Sequence, residues 1–214
     1  QKSNGQETDS TEADISKAPE TGCAVRDVAE PCCAAEEAPP FESLELRDVH
    51  FAYTQGDEVL PGGISPRDAV LLLSAQKAGE VAELAFPGGE ATEPVIAADT
   101  VVSIDGKILG KPRSPENAAE MLRVLSGREH SVFTGVKVIF RDKEISFAEE
   151  TRVEFFPLTE QEIADYVATG DPMDKAGAYG IQGRGALLVR RINGDYYNVM
   201  GLPVGELKQR LKAL

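Results

Sequence analysis

Positive charge is in short supply in this 214-residue chain, where 22 Lys and Arg stand against 36 Asp and Glu for a net of −14. A surface that acidic repels phosphodiester backbones and anionic lipid, so neither nucleic acid nor membrane is an expected partner. No run approaches the roughly 18–20 consecutive apolar residues of a membrane-spanning helix. The opening QKSNGQETDS is polar and lacks the pattern of a secretory signal peptide, so the expected location is cytoplasmic. Cysteine is sparse too. Cys23, Cys32 and Cys33 are an odd number with two adjacent, which fits no disulfide framework, and His50 and His130 stand too far off to complete a zinc site. Free thiols in a reducing compartment are expected. No internal repeat and no GxxxxGK[ST] phosphate loop occurs.

Large apolar residues are missing from the first 40 positions, which hold only Ile15, Val25 and Val28 and no aromatic. Residues 1–60 carry a net charge of −10 and the other 154 only −4. The first 40 residues cannot bury enough apolar area to offset their ordering entropy, so they are expected to be a disordered acidic segment or insertion. Residues 41–214 form the expected folded domain. The first residue is Gln, which suggests a processed N-terminus or a chain that begins inside a longer protein.

Within that domain, residues 41–53 allow a short strand. Ser65-Pro66 supplies an N-cap and a proline at the first helical position, for a helix to about Ala85. Pro94 to Ile104 is an apolar, β-branched run, and Asp105-Gly106 a hairpin turn before Ile108-Leu109. Ser114-Pro115 opens a second helix that Gly127 closes. His130–Phe140 and Ile145–Phe156 are expected as long strands joined by the charged turn 141–144. Thr159 and Glu162 predict a capping box for a helix ending at Gly170. A glycine-rich loop over 171–183 leads to a strand at Ala186–Ile192, and a last helix starts near Pro203. Loose alternation of strands and helices implies an α/β fold with a mixed sheet flanked by helices.

Several residues ask for more than structure. Asp99 interrupts the apolar strand VIAADTVV, where it either caps or bends the strand or does chemistry with a cation or donors beside it. Lys77 shares a helical face with Val70, Leu73, Val81 and Leu84; it is either a snorkelling lysine or an inward phosphate contact or ion-pair partner. Lys111, in Gly110-Lys111-Pro112, is either an exposed turn lysine or a point charge for phosphate. Gly170, Gly177, Gly180 and Gly183 let the 171–183 backbone approach a ligand closely, and Gln182 there offers a donor and an acceptor to a nucleobase edge. The segment NGDYYNVMGLP (193–203) begins with a strong turn signal and favours a structural role.

In combination, LSAQKAGEVA (73–82), VIAADTVVSIDGKILGKP (95–112), LSGREHSVFTGV (125–136), DKAGAYGIQGRGA (174–186) and NGDYYNVMGLP (193–203) resemble the Maf family of nucleoside triphosphate pyrophosphatases. The triplet Ala98-Asp99-Thr100 and Gln182 are similar to the subgroup acting on dTTP and UTP. The resemblance implies a Maf/ITPase-like mixed α/β fold, a homodimer, and a nucleotide cleft across the sheet. It implies hydrolysis between the α- and β-phosphates, which sanitises the nucleotide pool, with Mg²⁺ or Mn²⁺ as cofactor. By position, Asp99 matches the family's catalytic base or metal ligand, Lys77 and Lys111 its phosphate-side lysines, and Thr100 and Gln182 its specificity residues. Two other readings are a nucleotide-binding septum-formation regulator without turnover and a pyrophosphatase for another modified nucleotide. The family's initial strand and SASPRR-like motif are missing. Ile64-Ser65-Pro66-Arg67 has a similar look but stands directly before the Lys77 helix, where that motif does not belong. The family's acidic DVDE-type element is blurred, with Asp48-Val49-His50-Phe51 in its place and Asp57-Glu58 a displaced remnant.

Overall fold

Helix α1, Pro66–Ala85, starts where its sequence says it should. Ser65 is extended, its Oγ accepts the Asp68 N–H at 3.1 Å, and Pro66 fills a first-turn position that needs no donor. The structure, a computed structural model, describes residues 63–214. The acidic segment, its three cysteines, the expected strand in 41–53 and the displaced acidic element lie outside the described residues.

Strands β1 (Val95–Ile104) and β2 (Lys107–Leu109) follow, joined at Asp105 (φ 52°) and Gly106 (φ 73°). Two left-handed residues in succession match the twist of a tight hairpin. Helix α2 (Pro115–Leu125) is capped by Ser114, whose Oγ accepts the Asn117 N–H at 3.2 Å, and Gly127 takes φ 67° just beyond its end. Strands β3 (Glu129–Phe140) and β4 (Lys143–Phe155) then pair along their length. Phe140 opposes Lys143, so the turn is Arg141-Asp142 alone; Lys143 and Glu144, expected in the turn, belong to the ladder. The capping box of Thr159 and Glu162 opens α3 (Glu160–Val167).

The glycine-rich loop is more ordered than a loop. It runs through the 3₁₀ turns Asp171–Asp174, Ala176–Ala178 and Gly183–Leu188. Strand β5 (Val189–Asn193) therefore begins three residues later than expected. Two short helices complete the chain, α4 (Tyr196–Met200), which the sequence did not announce, and α5 (Val204–Leu211).

The sheet order is β2-β1-β3-β4-β5, and every pairing among the described strands is antiparallel. Helices cover both faces, as the α/β class requires. On one face α1 packs Val70 with Val101 and Ala148. The other face holds two cores. Val102, Leu122, Leu125, Val132, Val153, Phe155 and Ile163 join α2 and α3 to the sheet, while Val136, Val138, Phe147, Leu207 and Leu211 seat α5. The apolar stripe of α1 ends at Ala78, and Val81 and Leu84, expected to continue it, are exposed. Among the described residues no helix is long and apolar enough to cross a membrane.

Candidate active site

Asp99 lies in the middle of β1, directly opposite Gly135 of β3. Side chains alternate along a strand, so Asp99 shares the α1 face with Val101. Gly135 is the reason α1 comes so near. A Cβ there would stand 2.2 Å from the Val70 carbonyl oxygen and 2.9 Å from the Leu71 nitrogen, contacts that no side chain tolerates. Two turns after Val70 along the same helix face, Lys77 arrives above Asp99, and its Nζ donates to Asp99 Oδ1 in an ion pair. The side chains are 31% and 14% exposed, so the pair is half-buried yet reachable from solvent. Both readings of these residues in sequence meet here: the buried-looking carboxylate has its cation, and the apolar-face lysine has an inward partner. The Asp99 carboxylate has no second hydrogen-bond partner among the described residues.

Thr100 follows Asp99 but points to the opposite face. Its Oγ1 lies 2.8 Å from Thr134 Oγ1, the residue opposite it on β3, and Thr134 in turn donates to the Asn198 carbonyl at 2.9 Å. The structure therefore divides the adjacent pair Asp99-Thr100 between the two sides of β1.

Lys111 is exposed just past β2. The Gly177 N–H donates to the Gly110 carbonyl at 3.0 Å and draws the 3₁₀ loop against this corner. Asp174 sits there too, hydrogen-bonded to Lys175 Nζ at 2.6 Å. That hydrogen bond, then the Lys175 charge and the Lys111 charge, holds the Asp174 carboxyl below its usual range. Gln182, farther along the loop, is exposed, and its side chain makes no hydrogen bond among the described residues. The structure thus joins Lys77 to Asp99 and brings Lys111 to the Asp174-Lys175 corner, and it shows no direct contact of Gln182 with any of them.

The loop that carries Gln182 is held by Tyr179, Tyr166 and Gly185, whose roles the sequence does not single out. Tyr179 is buried, its hydroxyl 2.7 Å from His130 Nε2, and His130, Phe155 and Tyr179 pack edge to face with centroids 4.7–5.3 Å apart. Burial pushes His130 down to about 4, so its ring is neutral near pH 7. The Gly180 N–H donates to the Tyr166 hydroxyl at 3.3 Å, and a Cβ on Gly185 would stand 2.1 Å from the Gly180 carbonyl oxygen. Aromatic residues next to glycines were the available signal.

Among the described residues no group of three or more His, Cys, Asp or Glu side chains is placed to hold a metal. A lone carboxylate still suits Mg²⁺, which keeps several waters and takes one or two carboxylates together with substrate phosphates. An open cavity of about 280 Å³, lined by Pro66, Ser103, Asp105, Glu129, Ser131 and Phe133 among others, contains neither Asp99 nor Lys77.

Residues 42–214 match the family described as Maf-like protein. A dTTP/UTP pyrophosphatase of Bacillus mycoides (strain KBAB4) is 47% identical over 173 residues, covering 80% of this chain and 88% of the relative. The proteins of the same name from Bacillus cytotoxicus and from Bacillus cereus (strain B4264) are 46% identical over the same lengths. The chain belongs to the Maf-like protein family.

Proposed function

We propose that this protein is a nucleoside triphosphate pyrophosphatase that hydrolyses dTTP and UTP to the monophosphate and pyrophosphate, and so removes them from the nucleotide pool. The observation that carries the reading is the half-buried but solvent-reachable Lys77–Asp99 pair, in a chain 47% identical to a dTTP/UTP pyrophosphatase. Attack at the α-phosphorus needs a water held in line, a group to take its proton, and positive charge against the phosphate oxygens.

Asp99 is the group for the water: its carboxylate accepts the proton or takes part in metal binding. Lys77 keeps that carboxylate in place before substrate arrives and lends its charge to the phosphates afterwards. Lys111 adds a second positive charge at the β2 end, and Thr100 and Gln182 read the base. A divalent cation, Mg²⁺ or Mn²⁺, fits Asp99 together with the substrate's own oxygens and supplies further positive charge there. In this reading the protein works as a homodimer in the cytoplasm.

The test is pyrophosphate release from dTTP, UTP, CTP, GTP and 7-methyl-GTP with Mg²⁺ or Mn²⁺, beside an Asp99→Asn control. Turnover of dTTP and UTP that disappears in the control is the expected result. UTP binding with no pyrophosphate release would instead favour a regulator without turnover, and selective cleavage of 7-methyl-GTP would favour a different modified nucleotide.

A further inference from the structure

Thr134 and Asn198 have no part in the function proposed above, yet both are fully buried beneath Thr100. Their hydrogen bonds have a direction that can be deduced. The Asn198 carbonyl only accepts, so the single hydroxyl proton of Thr134 goes to it, at 2.9 Å. In the 2.8 Å contact between Thr134 Oγ1 and Thr100 Oγ1, Thr134 must therefore accept and Thr100 must donate. The proton of Thr100 is committed inward, and only its lone pairs are left for anything that approaches from outside.

The anchor of this relay is itself fixed. Asn198 Nδ2 donates to the Val132 carbonyl at 3.1 Å and to Thr151 Oγ1 at 3.0 Å, while Thr151 donates to the Asp195 carbonyl at 2.9 Å. The amide can sit only one way round, because Val132 offers no proton. The Gly201 N–H also donates to the Asn198 carbonyl, at 3.0 Å, which holds that acceptor beneath Thr134. Gly201 has φ 112°, and a Cβ there would sit 3.6 Å from Thr100 Oγ1, so a glycine also keeps side-chain atoms away from that oxygen.

We infer that Thr134 is a specificity-determining positioning residue: through its bond to Asn198 it turns Thr100 into an obligate hydrogen-bond acceptor, and the site thereby selects pyrimidine bases that present a ring N–H. Uracil and thymine carry a proton on N3, whereas cytosine has a lone pair at that atom. An acceptor facing an acceptor is left unpaired and desolvated, which is the kind of mismatch that discriminates strongly. The assignment rests on the base-reading role proposed for Thr100, and it adds the reason for the choice between UTP and CTP.

The test measures kcat and KM for UTP and CTP in the wild type, Thr134→Val and Thr134→Ser. Binding of the non-hydrolysable α,β-methylene analogues of both nucleotides is measured on the same proteins by calorimetry. Valine keeps the shape and removes the acceptor, which frees the Thr100 proton to turn outward. The UTP-over-CTP ratio of kcat/KM is expected to fall about tenfold or more, chiefly through a lower KM for CTP, with serine restoring it. A purely structural role would slow both nucleotides equally, and an unchanged ratio beside normal wild-type turnover overturns the assignment while leaving the proposed function intact. If the wild type binds the analogues without hydrolysing UTP, the pyrophosphatase reading fails, and the ratio of binding constants decides the assignment in the same way. A wild type that neither hydrolyses nor binds overturns both.

Discussion

Lys77 and Asp99 meet across the packing of α1 on β1, and Gly135 of the neighbouring strand is what lets them meet. The helix backbone at Val70 occupies the space where any other residue at 135 would carry its Cβ. A contact between two side chains is thus set by the absence of a third.

Gly135→Ala is the direct test of that relationship. The methyl group would meet backbone, which cannot rotate away, so α1 must lift from the sheet. We expect a loss of stability of about 1–3 kcal/mol, the usual range for an overpacked core. Activity should fall further than stability, since Lys77 moves off Asp99 even in molecules that stay folded. Thermal unfolding alongside pyrophosphate release measures both; a variant that unfolds early but keeps full turnover when folded would separate the helix position from the chemistry.

Asp99→Asn and Lys77→Met probe the pair itself. Asparagine preserves shape but neither takes a proton from water nor balances the lysine, so kcat should drop by about 10²–10⁴-fold. Lys77→Met should raise KM for the triphosphate as well as lower kcat, because a positive charge facing the phosphates is lost. In the double variant the losses should add to less than their sum, since the two groups act as a unit. Fully independent losses in a double-mutant cycle would contradict that coupling.

Much of this was legible in the sequence where local chemistry decides the outcome. Ser65-Pro66, Ser114-Pro115 and the Thr159–Glu162 box set their helix starts, and Asp105-Gly106 set its hairpin, because caps and tight turns depend on residues only a few positions apart. Asp99 and Lys77 stood out as charges on apolar patterns, but that they touch depends on a glycine 36 positions beyond Asp99, which no periodicity reveals. Asn198 lay unremarked in a segment, 193–203, that favours a structural role, and its function as anchor emerged only when β3, β4 and α4 came together around it. Val81 and Leu84 fit the helical stripe perfectly and are exposed, because spacing identifies a face and not how far the sheet extends beneath it.

Gln182 is the exposed member of the proposed base-reading pair, and its loop is fixed by Tyr179 and by the close contact of Gly185 with Gly180. Gln182→Ala should therefore leave the fold and the melting temperature unchanged. The expected change is in relative kcat/KM among dTTP, UTP and CTP, larger than the change in kcat for UTP. An equal slowdown for every triphosphate would move Gln182 from base recognition to the common steps.

His130 ties the same loop to the pH of the medium. Its pKa is pushed down to about 4 by burial, against an ordinary value of 6.5 in the unfolded chain. Between those values the unfolded chain binds the extra proton, so acid favours unfolding. The stabilising contribution is fully present above about pH 6.5, is lost progressively as pH falls toward 4, and is constant below that. The whole effect is about 3 kcal/mol by the usual conversion of pKa difference to free energy. Protonation puts a charge beside the buried Tyr179, on a ring whose Nδ1 has no partner among the described residues, so the loop bearing Gln182 should loosen before the sheet does. Urea denaturation from pH 7.5 to pH 4, with hydrogen exchange at residues 176–183, follows both changes. In His130→Phe the slope across this window should flatten, since the ring that titrates is gone; an unaltered slope would assign the acid sensitivity to the carboxylates instead.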